Sequence, residues 1–232
     1  MQPQLVLVTG GTGTLGSAIV QACRANSHRV VANYLHNNQR AEALQHNTGC
    51  ELWRADVSDE AQVATMFAAL PPLFAIVHSA AITHDALLVR QSRAAWAETL
   101  QVNADGAFLV TRMALQKLQD GGRLILLASR VGEHGNGGQG AYAASKAAVI
   151  ALTKCAAREG AARRLGVNAI CPGVVPSALT DALSEPHLRA LQGQSVLGSF
   201  GTAQQVAATV AWLLSDAAAG ISGQVIHCDS RI

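Results

Sequence analysis

Short, nearly unbroken apolar runs alternate along this chain with longer stretches in which apolar positions recur every three or four residues. The runs fall at residues 5–8, 30–34, 50–55, 73–77, 123–128, 167–171 and 225–228. Apolar runs of this length, without strict in-out alternation, fit strands covered on both faces. The stretches of helical period fall at 15–25, 40–45, 59–70, 93–118, 142–164 and 203–215. Seven such strands separated by helices predict an α/β fold: a single Rossmann-type, doubly wound, seven-stranded parallel sheet with helices on both faces. No internal repeat, low-complexity tract or linker interrupts residues 1–232, which read as one domain. Residues 132–140 read as a glycine-rich loop between a strand and a helix. Residues 172–201 are the least regular part.

Composition narrows the function classes. Half of the 232 residues are hydrophobic and only 14% are charged, against about 25% in an ordinary soluble domain. Disorder is excluded, and part of the surface is expected to be covered by a partner or a second copy. The net charge is +2 and no basic run occurs, so no nucleic acid is expected. No stretch reaches the roughly 18 apolar residues of a membrane span. The five cysteines are odd in number and scattered, which fits free thiols in a reducing, cytoplasmic setting. Neither a His-Glu-x-x-His motif nor a Cys/His cluster of ligand spacing occurs, so no metal is expected.

The first strand runs into Thr9-Gly10-Gly11-Thr12-Gly13-Thr14-Leu15-Gly16. Glycines at a strand-to-helix turn let the backbone approach a pyrophosphate, and the helix N-terminus offers amide donors to it. A tight structural turn has the same composition, but this one follows the first strand of an alternating pattern. An acid at the end of the second strand would bond the ribose hydroxyls of NAD. The stretch Val31-Ala32-Asn33-Tyr34-Leu35-His36-Asn37-Asn38-Gln39-Arg40 has none before Glu42, which favours NADP. His36 and Arg40 are the nearby groups for a 2′-phosphate, and either is equally at home facing solvent. Asp56 is a candidate for the adenine amino group, or else a cap for the helix starting near Asp59.

Tyr142 and Lys146 stand one helical turn apart and share a face. A neighbouring ammonium favours the tyrosinate and lowers the tyrosine pKa, suiting Tyr142 to proton transfer in carbonyl reduction. Taken alone, the pair could equally be an incidental surface turn. Ser129 lies thirteen residues before Tyr142.

Together these residues resemble the short-chain dehydrogenase/reductase family, nearly from end to end, and within it the 3-oxoacyl-[acyl-carrier-protein] reductases. The matching pieces are the Thr9 to Gly16 loop, Asp56-Val57, the run from Ile82 to Leu88, and Asn103 with Gly106. Ser129, Gly138-Gln139, Tyr142, Lys146, Pro172-Gly173 and the Ser215 to Ala218 stretch before Ile221-Ser222-Gly223 complete them. The resemblance implies that Ser129 polarises a substrate carbonyl and that Tyr142 is the general acid. It further implies that Lys146 bonds the nicotinamide ribose and that Asn103 supports a water that restores the proton. Ala80, Val175 and Ser177 would flank the nicotinamide end of NADPH.

The chain departs from the family's pattern in three places. Its phosphate loop reads Gly10, Gly13, Gly16, with Thr14 where the third glycine usually stands and no basic side chain at position 13. His78-Ser79-Ala80-Ala81 replaces Asn-Asn-Ala-Gly, and the C-terminus lacks a glycine-rich finish. The function implied is NADPH-dependent reduction of a 3-oxoacyl thioester on acyl carrier protein, in fatty-acid or polyketide-type biosynthesis, by a homotetramer. Residues 172–201 would form the substrate lid. Arg130, Arg163 and Arg164 could face the acidic carrier, with Asp120 at the family's other basic docking position. His134 could border the substrate or be a solvated loop residue. The alternatives are a CoA thioester, a sugar or a secondary alcohol as substrate, or a reductase-like subunit that does not turn over.

Overall fold

The structure, a computed structural model, describes residues 3–176 and 185–230. Seven strands, β1 (Leu5–Thr9), β2 (Arg29–Tyr34), β3 (Glu51–Arg54), β4 (Leu73–His78), β5 (Leu118–Leu127), β6 (Gly166–Pro172) and β7 (Val225–Cys228), form one sheet. Its order is β3-β2-β1-β4-β5-β6-β7 and every pairing is parallel. Helices supply the crossovers: α1 (Thr14–Ala25), α2 (Asn38–Thr48), α3 (Glu60–Ala69), α4 (Arg93–Leu100) and α5 (Gly106–Lys117). They continue with α6 (Val131–His134), α7 (Gly140–Glu159), α8 (Glu185–Gly193) and α9 (Ala203–Leu214). No helix among the described residues is long and apolar enough to cross a membrane.

Successive side chains of a strand point to opposite faces, and the core divides accordingly. Leu5 and Leu7 join Ile76, Leu124 and Leu126 under α3, α5 and α7, whose Phe67, Val110 and Val149 are buried there. Val6 and Val8 join Val77, Ile125 and Ile170 on the opposite face, under Ile19 and Cys23 of α1 and Val210 and Leu213 of α9. Burying both faces is what made the strands read as unbroken apolar runs. The strand order reverses between β1 and β4, and an open α/β sheet forms its crevice beyond the carboxyl ends at such a point.

Element boundaries differ from the sequence pattern in informative places. The expected helix at 93–118 is broken: a π-helical turn, Gln101–Asp105, separates α4 from α5. The helix expected to run to 164 stops at Glu159 and is followed by a 3-10 turn, Ala161–Arg163. Strand β5 begins five residues early, at Leu118, because a bulge lets Leu118 pair with Leu73 before Arg123 pairs with Ala75. Helix α8 lies within the expected lid region, and α6 within the expected loop.

Candidate active site

The loop after β1 is shaped by close approach rather than by flexibility alone. Gly10 has φ +63°, and a Cβ there would lie 2.7 Å from the Ala80 backbone; a Cβ at Gly16 would overlap the Gly10 carbonyl oxygen. Gly13 caps α1, whose first turn carries neither an acidic residue nor a side-chain cap. Unopposed amides at a helix start favour an anion. Thr12, Thr14, Ser17 and Arg40 line one cavity of about 640 Å³, together with Val175 and Pro176 from beyond β6. A cradle that side chains cannot fill, an open helix N-terminus and a nearby guanidinium fit a dinucleotide's phosphates. Leu15 is partly buried behind the loop.

The other cofactor candidates divide. Asn33 is buried, its amide donating to the carbonyls of Ala55 (2.9 Å) and Trp53 (3.3 Å) while its own carbonyl receives Gly11 N. It braces the phosphate loop against β3. Tyr34 is partly buried, and His36 is exposed and does not line the cavity with Arg40. Asp56 does not cap α3: that cap is Asp59, which accepts from Gln62 N. Asp56 Oδ1 instead accepts from the amide and hydroxyl of Ser58. Val57 is buried against Gly106, where a Cβ would sit 3.2 Å from Val57 Cγ2. Pro172 ends β6, and Gly173 donates to Cys228 O at 3.1 Å. Ser177 lies outside the described residues, as do residues 178–184 of the expected lid.

Four residues from three segments converge at the carboxyl end of the sheet. Ser129 follows β5 directly, and its Oγ accepts from Val131 N at 3.2 Å. Tyr142 stands in the first turn of α7, and the Ser129 hydroxyl is near enough to its phenol to oppose the rise of its pKa. Lys146 is buried; its Nζ donates to Leu127 O at 2.6 Å and lies 5.7 Å from the Tyr142 ring centroid. Asn103, buried in the π-helical turn, accepts from Ile82 N and donates to Ile82 O, each at 2.8 Å. Its Nδ2 also donates to Ser145 Oγ at 3.0 Å, and Ser145 donates to Tyr142 O. The extra residue of a π turn re-aims Asn103 toward this corner, a common use of such bulges.

The expected lowering of the tyrosine pKa is not what this structure gives. Burial pushes Tyr142 up to about 12, the Ser129 hydrogen bond opposing, and burial pulls Lys146 down to about 8. Removing the phenol and the ammonium from water penalises both charged forms, and burial is the largest cause of each shift. Tyr142 is therefore a protonated donor at neutral pH.

Sequence reasoning missed several supporting residues. Ser145 joins Asn103 to Tyr142, and as a small residue inside a helix it gives no signal. At Gly132 a Cβ would come within 2.7 Å of the Lys146 and Ala147 backbone, so glycine lets α6 pack on α7. The segment after β4 docks on the loop before Tyr142: Ala86 N donates to Gly138 O at 2.8 Å, and Gln139 Nε2 to Asp85 Oδ2 at 3.0 Å. His78, fully buried at the end of β4, shares 2.8 Å with Thr9 Oγ1, while its Nε2 has no partner among the described residues. A histidine closing an apolar run was its visible signal. His134 is exposed beside Glu133. Arg163 is held by Asp120 Oδ1 (2.8 Å) and by the carbonyls of Leu115 (2.7 Å) and Leu118.

The sequence model of the family described as "Enoyl-(Acyl carrier protein) reductase" matches residues 11–230. An acetoacetyl-CoA reductase of Rhizobium meliloti is 35% identical over 97% of both chains. The 3-oxoacyl-[acyl-carrier-protein] reductase FabG of Staphylococcus aureus (strain Mu50) is 37% identical over 95% of this chain and 94% of its own. A mutant short-chain dehydrogenase/reductase of Serratia marcescens superposes with a TM-score of 0.91 at 27% identity, covering 99% of this chain and 97% of its own. With the Rossmann-type sheet and the Ser129, Tyr142 and Lys146 cluster at its crevice, these matches make the chain a member of the short-chain dehydrogenase/reductase family of oxidoreductases.

Proposed function

We propose that the protein reduces a 3-oxoacyl thioester to the 3-hydroxyacyl thioester, with NADPH as coenzyme. One observation carries this reading: Ser129, Tyr142 and the buried Lys146, 5.7 Å from the Tyr142 ring centroid, gather at the carboxyl end of the sheet, the end at which the glycine cradle after β1 fits a dinucleotide. The two hydroxyls are arranged to meet one carbonyl oxygen, the atom on which charge develops during keto reduction. Both curated relatives described above are named for 3-oxoacyl thioesters, which supports the substrate class.

When bound, the reduced nicotinamide supplies the hydride to the carbonyl carbon. Ser129 holds the carbonyl oxygen and Tyr142 gives it a proton, so one hydride and one proton complete the alcohol. The tyrosinate left behind is stabilised by Lys146. Asn103, fixed from two sides by Ile82 and Ser145, keeps the corner through which the proton is restored. Arg40 lines the cavity beside Thr12 and Thr14, and no acid stands between β2 and Glu42, which together favour NADPH.

Acyl carrier protein is the carrier we assign first, with a role in fatty-acid or polyketide-type biosynthesis in the cytoplasm. Coenzyme A is the second reading, and one contact favours it: Asp120 neutralises Arg163, removing a cation from the docking surface. Exposed Leu88, Val89, Phe108 and Leu197 suit burial between copies, in keeping with a homotetramer. Coenzyme consumption with acetoacetyl groups on acyl carrier protein, CoA and pantetheine decides the carrier. Preference for the carrier protein supports the first assignment, and preference for CoA the second. No turnover on any of the three, with NADPH binding intact, would overturn the substrate class.

A further inference from the structure

Strands β6 and β7 are parallel neighbours, and Cys171 and His227 are paired in register across them. Residues paired in this way point to the same face of a sheet. Cys171 is fully buried and His227 lies at the rim. From above, α6 brings Glu133, whose Oε2 lies 3.3 Å from His227 Nε2. The Cys171 thiol, the His227 imidazole and the Glu133 carboxylate all place a ligand atom within 4.8 Å of one another. Linear spacing hid this set, because its members are 38 and 56 residues apart.

We propose that Glu133, Cys171 and His227 form a binding site for one borderline-soft divalent transition ion of the zinc class. The ligand chemistry selects the ion. Sulfur and imidazole nitrogen exclude magnesium and calcium, which take oxygen ligands, and a thiolate with a carboxylate neutralises a divalent charge. Ligand atoms around a tetrahedral zinc ion stand roughly 3.5 Å apart; Glu133 Oε2 and His227 Nε2, at 3.3 Å, already meet that spacing, and three protein ligands leave a fourth position for water. Two of the three ligands ride on strands, the more exact kind of support for a site. Binding releases the Cys171 thiol proton to solvent, because the thiolate is the ligand.

The site borders the candidate active site without using its groups. Glu133 lies four residues beyond Ser129, and Cys171 immediately precedes Pro172 and Gly173. An ion there would pin α6 to the sheet edge formed by β6 and β7.

Cobalt(II) titration of the full-length, reduced protein tests this, with optical spectra and equilibrium dialysis as readouts. The expected result is one ion per chain with a thiolate-to-cobalt charge-transfer band, displaced by zinc. Cys171→Ala and His227→Gln should each abolish the band, and Glu133→Gln should weaken cobalt binding by at least about tenfold. Cys155→Ser, which removes the exposed thiol, should leave the band unchanged. Circular dichroism confirms that each variant is folded, and Glu133→Gln, on the exposed α6, serves should the buried change fail. No band, a band that survives in Cys171→Ala, or one lost in Cys155→Ser would overturn the site.

Discussion

The Lys146 ammonium donates to the Leu127 carbonyl at 2.6 Å, fastening α7 to the last residue of β5. The strand that delivers Ser129 and the helix that delivers Tyr142 are thereby fastened together, and the charge proposed to serve the chemistry also holds the frame. Lys146→Ala leaves a buried carbonyl without its donor, at a cost of about 1–3 kcal/mol. Both kcat and NADPH affinity should fall, since the one ammonium is proposed to serve the tyrosine and the ribose. Steady-state kinetics beside coenzyme titration check this. Retained affinity would remove the ribose contact from the account.

Asn103 carries the second frame contact. Asn103→Ala removes two half-buried bonds to Ile82 and a buried one to Ser145. Stability should drop by roughly 2–4 kcal/mol, and activity should fall more than about tenfold even where the variant is folded. Urea denaturation and kinetics separate the two effects. Full activity would show that the π-helical turn serves packing alone.

His78 predicts an acid limb. Burial, with the Lys146 charge adding to it, holds its folded pKa down at about 3, against an ordinary 6.5. Between those values the unfolded chain takes up a proton that the folded chain refuses. Stability is therefore full above pH 6.5 and falls as the pH drops toward 3. At about 1.4 kcal/mol per unit, roughly 2–3 kcal/mol should be gone by about pH 4.5. His78→Asn should flatten this limb whatever it does to stability at neutral pH. An unchanged slope in denaturation profiles would assign the limb to other groups.

What could be read from the sequence follows from what is local. Runs such as Val6 to Val8 and the Gly10, Gly13, Gly16 loop announce themselves within a few residues, and the Tyr142 to Lys146 spacing is one helical turn. What stayed hidden depends on distant contacts. The π turn at Asn103 is fixed by Ile82, the early start of β5 by Leu73, and the meeting of Cys171 with His227 by strand register. Arg163 looked like a surface cation because its carbonyl partners at Leu115 and Leu118 arrive only with the folded backbone. The tyrosine pKa was misjudged for the same reason: the pair was visible, but the burial that raises it was not.

The proposed preference for NADPH assigns the 2′-phosphate to Arg40, which lines the cavity with Thr12 and Thr14. Arg40→Ala should weaken NADPH by roughly tenfold, the scale of one modest charged contact, while NADH affinity stays the same. Equal effects on both coenzymes would move the 2′-phosphate elsewhere, with His36 the next residue to change.

The most direct test compares the protein with its Tyr142→Phe variant, following NADPH oxidation that depends on an acetoacetyl thioester. Loss of the proton donor should lower kcat by about 10²- to 10⁴-fold while NADPH binding persists, because only one oxygen atom has been removed. Equal turnover by the variant, or NADPH oxidation by neither protein with any 3-oxoacyl thioester, would contradict the account.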